Sequence, residues 1–178
     1  SARHVDLAYR TVKRRFPDLQ IQAMPHCPWL TVPPGTKGKT AQTLALPLEP
    51  LAALRGGYNE NRRRDAKRGA SYGCLTYSPM GDGLETFIAI YDEAAADWTF
   101  DRHQRSTAFW TEVGRELAPD IALHVAYDGF EPAAARLVAW QNGVAYDLAF
   151  AVRPAYRKSQ AATAVTEAAL AHAYAGGA

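Results

Sequence analysis

Residues 121–152, "IALHVAYDGFEPAAARLVAWQNGVAYDLAFAV", constrain the fold more than any other stretch. Three strand-like runs, "IALHVAY", "AAARLVAW" and "VAYDLAFAV", are separated only by "DGFEP" and "QNG". Parallel neighbours need a crossover of a dozen or more residues, so spacers this short require antiparallel pairing. The pattern therefore predicts a three-stranded meander with turns at Asp128-Gly129 and Asn142-Gly143. Everything else in the chain has to be arranged around that sheet.

Upstream, the apolar spacing predicts a helix over 3–16, then a half-buried strand in "LQIQAM". A proline-rich stretch follows, which proline's fixed φ and missing amide keep out of long helices. A further helix is predicted from about Pro50, broken at Gly56-Gly57 and resuming through "NRRRDAKRG" to Gly69. "SYGCLTYS" reads as a strand, and "DGLETFIAIYDEAAADW" and "DRHQRSTAFWTEVGRELA" as two helices. Ala161 to Tyr174 is the last predicted helix. The whole is an α/β chain with an antiparallel sheet and flanking helices.

The balance of 20 basic against 18 acidic residues leaves a formal charge of +2, so any polyanion site must be local. No apolar run is long enough to span a membrane, and the N-terminus lacks an uninterrupted signal-type segment, which implies a cytoplasmic protein. Cys27 and Cys74 show no metal-ligand spacing, and no metal is expected. "PPGTKGKT", residues 33–40, imitates a phosphate-binding P-loop, but the position that requires glycine holds Pro33. Proline cannot donate an amide to phosphate, and an ATPase is excluded on that ground.

After the meander come Val152, Pro154, Tyr156 and Arg157 in the pattern V-x-P-x-Y-R, then a small-residue helix. This order resembles the Gcn5-related N-acetyltransferase (GNAT) superfamily. There a loop R-x-x-G-x-G/A holds the donor's pyrophosphate on backbone amides at a helix N-terminus, where unpaired N–H groups and the helix dipole favour an anion. The resemblance implies a donor-binding segment of Val152, Arg153, Arg157, Lys158, Ser159, Gln160, Ala161 and Ala162. Gln160 stands where the family has its first glycine, and Ala162 is an allowed residue at the second. "YNENRRRDAKRGASY" and "CPWLTVP" also resemble the Fem-type peptidoglycan-bridge aminoacyltransferases and the related BioF2-like acyltransferases. That branch has degenerate pyrophosphate loops, because its donor is aminoacyl-tRNA instead of an acyl-CoA.

The resemblance thus implies an acyltransferase that forms an amide on a small-molecule or peptide amine, with aminoacyl-tRNA favoured as donor. Coenzyme A-dependent acetyl transfer and a non-catalytic binding module are the alternatives, and no resident cofactor is implied. Residues 1–50 would be a connector from a preceding acetyltransferase-like domain, with 51–178 as the domain itself. Since the family's domain continues past its third helix, the resemblance implies a fold incomplete at its C-terminus in this sequence, either because the sequence is part of a longer protein or because another subunit or a second copy completes it.

Within the site, Asp147 is read as the general base. It is expected on a central strand of the sheet, sharing a face with Ala145, Ala149 and Ala151, where burial would raise its pKa; the alternative is a buried structural aspartate paired with an arginine. Tyr146, Leu148, Phe150 and Val152 would form the opposite, core face. Tyr156 is the second catalytic candidate, stacking or donating a hydrogen bond near the loop, with plain packing as the alternative. Arg63 and Lys67 in the basic helix, with Arg102 and His103, are candidates for holding the acceptor or a phosphate, and a solvated helix face is the plainer reading of the first two. His124 reads as a satisfied core histidine.

Overall fold

The computed structural model describes residues 46–77, 81, 83–98, 105–141 and 143–176. The helix and strand expected before residue 46, the P-loop imitation, Cys27, Arg102 and His103 lie outside the described residues.

Pro47 to Ala178 belong to one compact unit. In chain order it holds α1 (Leu51–Gly56), α2 (Glu60–Gly69), β1 (Gly73–Tyr77), α3 (Leu84–Ala95), α4 (Thr107–Leu117), β2 (Ile121–Asp128), β3 (Glu131–Gln141), β4 (Val144–Val152) and α5 (Ala161–Ala175). A 3₁₀ turn, Pro154–Tyr156, joins β4 to α5. The four strands form one sheet in the order β1-β2-β3-β4, antiparallel throughout. The predicted meander is therefore the observed one. Gly129 and Gly143 occupy its turns at φ +59° and +75°, a backbone region that side chains disfavour.

Two of the helices start on a side-chain cap. Asn59 caps α2 by accepting from the Arg62 amide at 2.8 Å, and Ser106 caps α4 through the Phe109 amide at 3.2 Å. The predicted helix at 50–69 is broken at Gly57 as expected, because the chain must turn before the Asn59 cap.

The two sheet faces are covered by different chemistry. On one, Ile121, Leu123, Val125, Ala135 and Leu137 pack against Phe87, Ile90, Tyr91 and Ala94 of α3 and Trp110 of α4. The aromatic rings meet edge to face, Phe87 with Trp110 at 5.0 Å and Tyr91 with Trp110 at 5.1 Å. On the other face α5 sits on alanines: Ala126, Ala133 and Ala134 of the strands against Ala161, Ala164 and Val165 of the helix. Small side chains on both surfaces let the helix approach the sheet closely.

β4 departs from the alternation that its sequence suggests. Leu137 pairs with Ala149 but Val138 pairs with Asp147, so Leu148 is an extra residue without a partner in β3: a β-bulge. The bulge inverts the faces on either side of it. Asp147 shares its face with Ala145, Arg136 and Phe150, whereas Ala149 and Ala151 point to the α3 side with Tyr146. The expected set of Asp147 with Ala149 and Ala151 is thereby corrected. Leu148 and Phe150, expected in the core, are instead 39% and 37% exposed. β4 is also an edge of the sheet among the described residues, so Asp147 does not lie at its centre.

His124 is fully buried beneath α5, as expected of a satisfied core histidine. Its Nδ1 lies 3.0 Å from the Thr76 hydroxyl and its Nε2 3.4 Å from Nδ1 of His172. The His172 ring in turn lies 5.0 Å from that of Trp140. Burial first, then His172 and Arg136, push the His124 pKa down from 6.5 to about 4.

Two tests follow from this packing. A Cβ at Gly83 would stand 2.6 Å from the Tyr77 ring and 2.8 Å from the Leu123 side chain. Gly83→Ala should therefore destabilise the protein by about 1–3 kcal/mol in urea unfolding, the usual cost of overpacking; an unchanged midpoint would refute the close approach. His124 binds its proton more weakly folded than unfolded, so its contribution is intact above pH 6.5 and is lost as pH falls toward 4. The full loss corresponds to roughly 3 kcal/mol at 1.36 kcal/mol per pKa unit. Unfolding free energies measured across that window should show the fall, and His124→Gln should flatten it.

Candidate functional site

The segment linking β4 to α5 turns sharply. Pro154 fixes the first turn, the Arg157 amide closes it onto the Pro154 carbonyl at 3.3 Å, and the Ser159 amide bonds to the Tyr156 carbonyl at 3.0 Å. Ser159 Oγ donates to the same Tyr156 carbonyl at 2.7 Å and accepts from the Ala161 amide at 3.3 Å. The Ala164 amide then bonds to the Gln160 carbonyl at 2.9 Å, which makes Gln160 the residue before the first helical turn. Helix geometry leaves the Ala162 and Thr163 amides without an acceptor inside α5. This is the expected strand-to-helix passage with free amides at its end.

Gln160 does not lie loose across those amides. Its Oε1 accepts from the Thr163 hydroxyl at 3.0 Å, and Thr163 Oγ1 accepts from Arg62 of α2 at 3.1 Å. A Cβ on Gly69 would reach within 3.2 Å of both the Gln160 carbonyl and the Ala164 nitrogen. The last turn of α2 thus closes one flank of the first turn of α5, with glycine at the point of closest approach. Arg55 adds a second clamp, pairing at 2.6 Å with Glu167, whose side chain is almost fully buried.

The cations of the loop are largely spoken for. Arg157 bridges Asp97 at 3.1 Å and donates to the Ala94 carbonyl at 3.4 Å, both at the end of α3. Arg153 pairs with Glu93 at 2.9 Å and Glu131 at 3.4 Å. Their first work is to tie the turn to α3 and to the hairpin. Lys158 is exposed and has no ion pair among the described residues. Val152 and Tyr156 pack against the alanine layer beneath α5, together with Tyr72 and Cys74. Burial, with the Asp128 and Glu131 carboxylates, raises the Tyr156 phenol, which fits a packing residue better than a proton donor.

Asp147 sits further along the same strand edge, about 16 Å from Val152 at the usual strand rise, and no contact joins it to Tyr156. Its Oδ2 accepts from Arg136 at 2.9 Å. Arg136 is mostly buried, with its guanidinium stacked 4.6 Å from the Phe150 ring centre. Desolvation raises the Asp147 pKa and Arg136 opposes the rise. The result is a half-exposed carboxylate, next to the bulge, that is a stronger base than its surface equivalent. Arg63 and Lys67 stand exposed on α2.

Sequence reasoning located the loop and anticipated an arginine partner for Asp147, but not the face or the edge position of that residue. It missed the bulge at Leu148, the identity of Arg136 and the chain from Arg62 through Thr163 to Gln160. "VAYDLAFAV" alternates without a break, so nothing in it marks the extra residue. The other two depend on residues more than 10 apart that only folding brings together.

Comparison with known proteins agrees with the architecture. The family model for the acetyltransferase (GNAT) domain matches residues 57–178, more than half of the chain. It does not extend to the Fem-type branch. No curated protein matches the sequence. Among solved structures, AAC(6′)-Iy in complex with the bisubstrate analogue CoA-S-monomethyl-acetylneamine is similar at a TM-score of 0.43 and 15% identity, over 59% of this chain and 72% of that one.

Because Arg136 holds the Asp147 carboxyl down against desolvation, Arg136→Leu should move its titration to higher pH. Carboxyl NMR titration of the native protein and the variant checks this, and an unmoved Asp147 would show that the ion pair has no electrostatic weight.

Proposed function

This chain belongs to the acetyltransferase (GNAT) domain family, and from that premise we propose that it is an N-acyltransferase that moves an acyl group from a coenzyme A thioester to an amine. The observation that carries the reading is the pair of features on β4, an edge strand among the described residues. The bulge at Leu148 and the loop after Val152 lie about 13 Å apart along the strand. That spacing suits an extended pantetheine arm with its pyrophosphate at the Ala162 and Thr163 amides and its thioester at the bulge. The family match supports a coenzyme A donor over aminoacyl-tRNA, and residues 51–178 are read as the acetyltransferase domain behind a connector.

In this reading the edge of β4, unpaired among the described residues, aligns the donor, and strand amides at the bulge stabilise the oxyanion. Asp147 accepts a proton from the incoming ammonium group. The free amine attacks the thioester carbonyl, the C–N bond forms, and the C–S bond breaks as the tetrahedral intermediate collapses. Coenzyme A leaves as the thiolate and takes up a proton. Most of the rate enhancement comes from holding the two reactants together, which needs no covalent enzyme intermediate. Gln160, whose side chain accepts from the Thr163 hydroxyl, keeps its carboxamide beside the first turn of α5.

Calorimetry with acetyl-CoA tests the reading, followed by thiol-release assays on a panel of primary amines. Binding and amine-dependent release of coenzyme A are the expected results. Asp147→Asn should lower kcat by roughly 10²-fold, the scale of general-base catalysis, without weakening acetyl-CoA. Absence of acetyl-CoA binding at millimolar ligand would overturn the proposal.

A further inference from the structure

Beside the Leu148 bulge, the sheet face that α5 covers carries more positive charge than its acids match. Arg136 follows Ala134 on that face of β3 and reaches toward β4, with Nη1 2.9 Å from Asp147 and the guanidinium 4.6 Å from the Phe150 ring centre. Its Nε is buried and bonds nothing among the described residues. Arg62 comes to the same region from the inward face of α2. Its Nη1 donates to Thr163 at 3.1 Å and its guanidinium lies 5.4 Å from the Tyr58 ring centre. It joins no ion pair among the described residues. The two guanidiniums are near enough to act on each other: burial lowers the Arg136 pKa most, Asp147 opposes this, and Arg62 lowers it further. No other group there restores the balance. His124, which also feels Arg136, is held neutral by burial, and Glu167 is already matched by Arg55. Two arginines therefore face one carboxylate, and that carboxylate is half exposed.

We infer that the acceptor is an amino acid, with its ammonium group on Asp147 and its carboxylate on Arg62. The inference rests on the function proposed above and names the acceptor of that same site. An aliphatic amine arrives in neutral water mainly as an ammonium ion. A plain amine would bring a third cation to a place where two already face one carboxylate, and like charges at short range oppose its entry. An acceptor with its own carboxylate brings the matching anion with it. The unspent donors of Arg62 form a planar fork suited to a carboxylate, and the bonds are charge-assisted. The step is then the one already described: Asp147 takes the proton, the amine nitrogen bonds the acyl carbon, and the C–S bond breaks. The products are an N-acyl amino acid and coenzyme A.

The test measures thiol release from acetyl-CoA with the proteinogenic amino acids, each beside its α-carboxamide. The amide keeps the amine and the side chain and removes only the negative charge. For the best amino acid, kcat/KM should exceed that of its amide by about tenfold or more. In R62Q the ratio should fall to about twofold or less, chiefly through the acceptor KM, and R62K, which keeps the charge without the fork, should lie between. Glutamine and lysine both keep the helix propensity of α2. Acid and amide share one donor and one fold, so a role for Arg62 as a clamp on α5 alone would slow both and leave the ratio unchanged. A native ratio near one, a ratio undiminished in the variants, or turnover of other amines but of no amino acid would overturn this inference and leave the acyltransferase reading standing. If acetyl-CoA did not bind, both would fall.

Discussion

The closeness with which α5 lies on the sheet is the constraint on which the rest of this structure depends. Alanines on both surfaces, Ala126, Ala133 and Ala134 facing Ala161 and Ala164, remove the side-chain bulk that normally separates a helix from a sheet. The 3₁₀ turn Pro154–Tyr156 then leads from the end of β4 toward the first turn of that helix. The same closeness seals His124 beneath the helix with Thr76 and His172. It also leaves room for α2 to cross at Gly69. Larger residues in the alanine layer would lift α5 and displace all of these at once.

Polar groups then determine how that arrangement is held. Arg55 with Glu167 and Arg62 with Thr163 bind α1 and α2 to α5, while Arg153 and Arg157 bind the β4–α5 turn to the other side of the molecule. Exposed ion pairs are individually weak, so their value lies in orientation more than in stability. The clamp through the nearly buried Glu167 is the exception, because a carboxylate there needs its cation. The site that results has a rigid floor of strand and helix, and its general-base candidate sits on an edge strand and not on a mobile loop.

The bulge at Leu148 links the fold to the proposed chemistry. An uninterrupted β4 would carry Asp147 to the α3 side, away from Arg136 and Phe150. One extra residue reverses this and frees a backbone position at the strand edge. A single-residue change in strand pairing thus decides which face bears the carboxylate.

The sequence by itself determined the meander, its two glycine turns, the break at Gly57, the last helix and the loop after Val152. These depend on spacing, turn chemistry and capping, all of which act over a few residues. Only the tertiary structure decided the face of Asp147, its pairing with Arg136, the ion pairs that occupy Arg153 and Arg157, and the contact of α2 with the start of α5. Each of those is set by strand register or by residues far apart in the chain. A local pattern such as "VAYDLAFAV" reads the same with or without a bulge, and the difference is fixed by what β3 and the two helix layers allow.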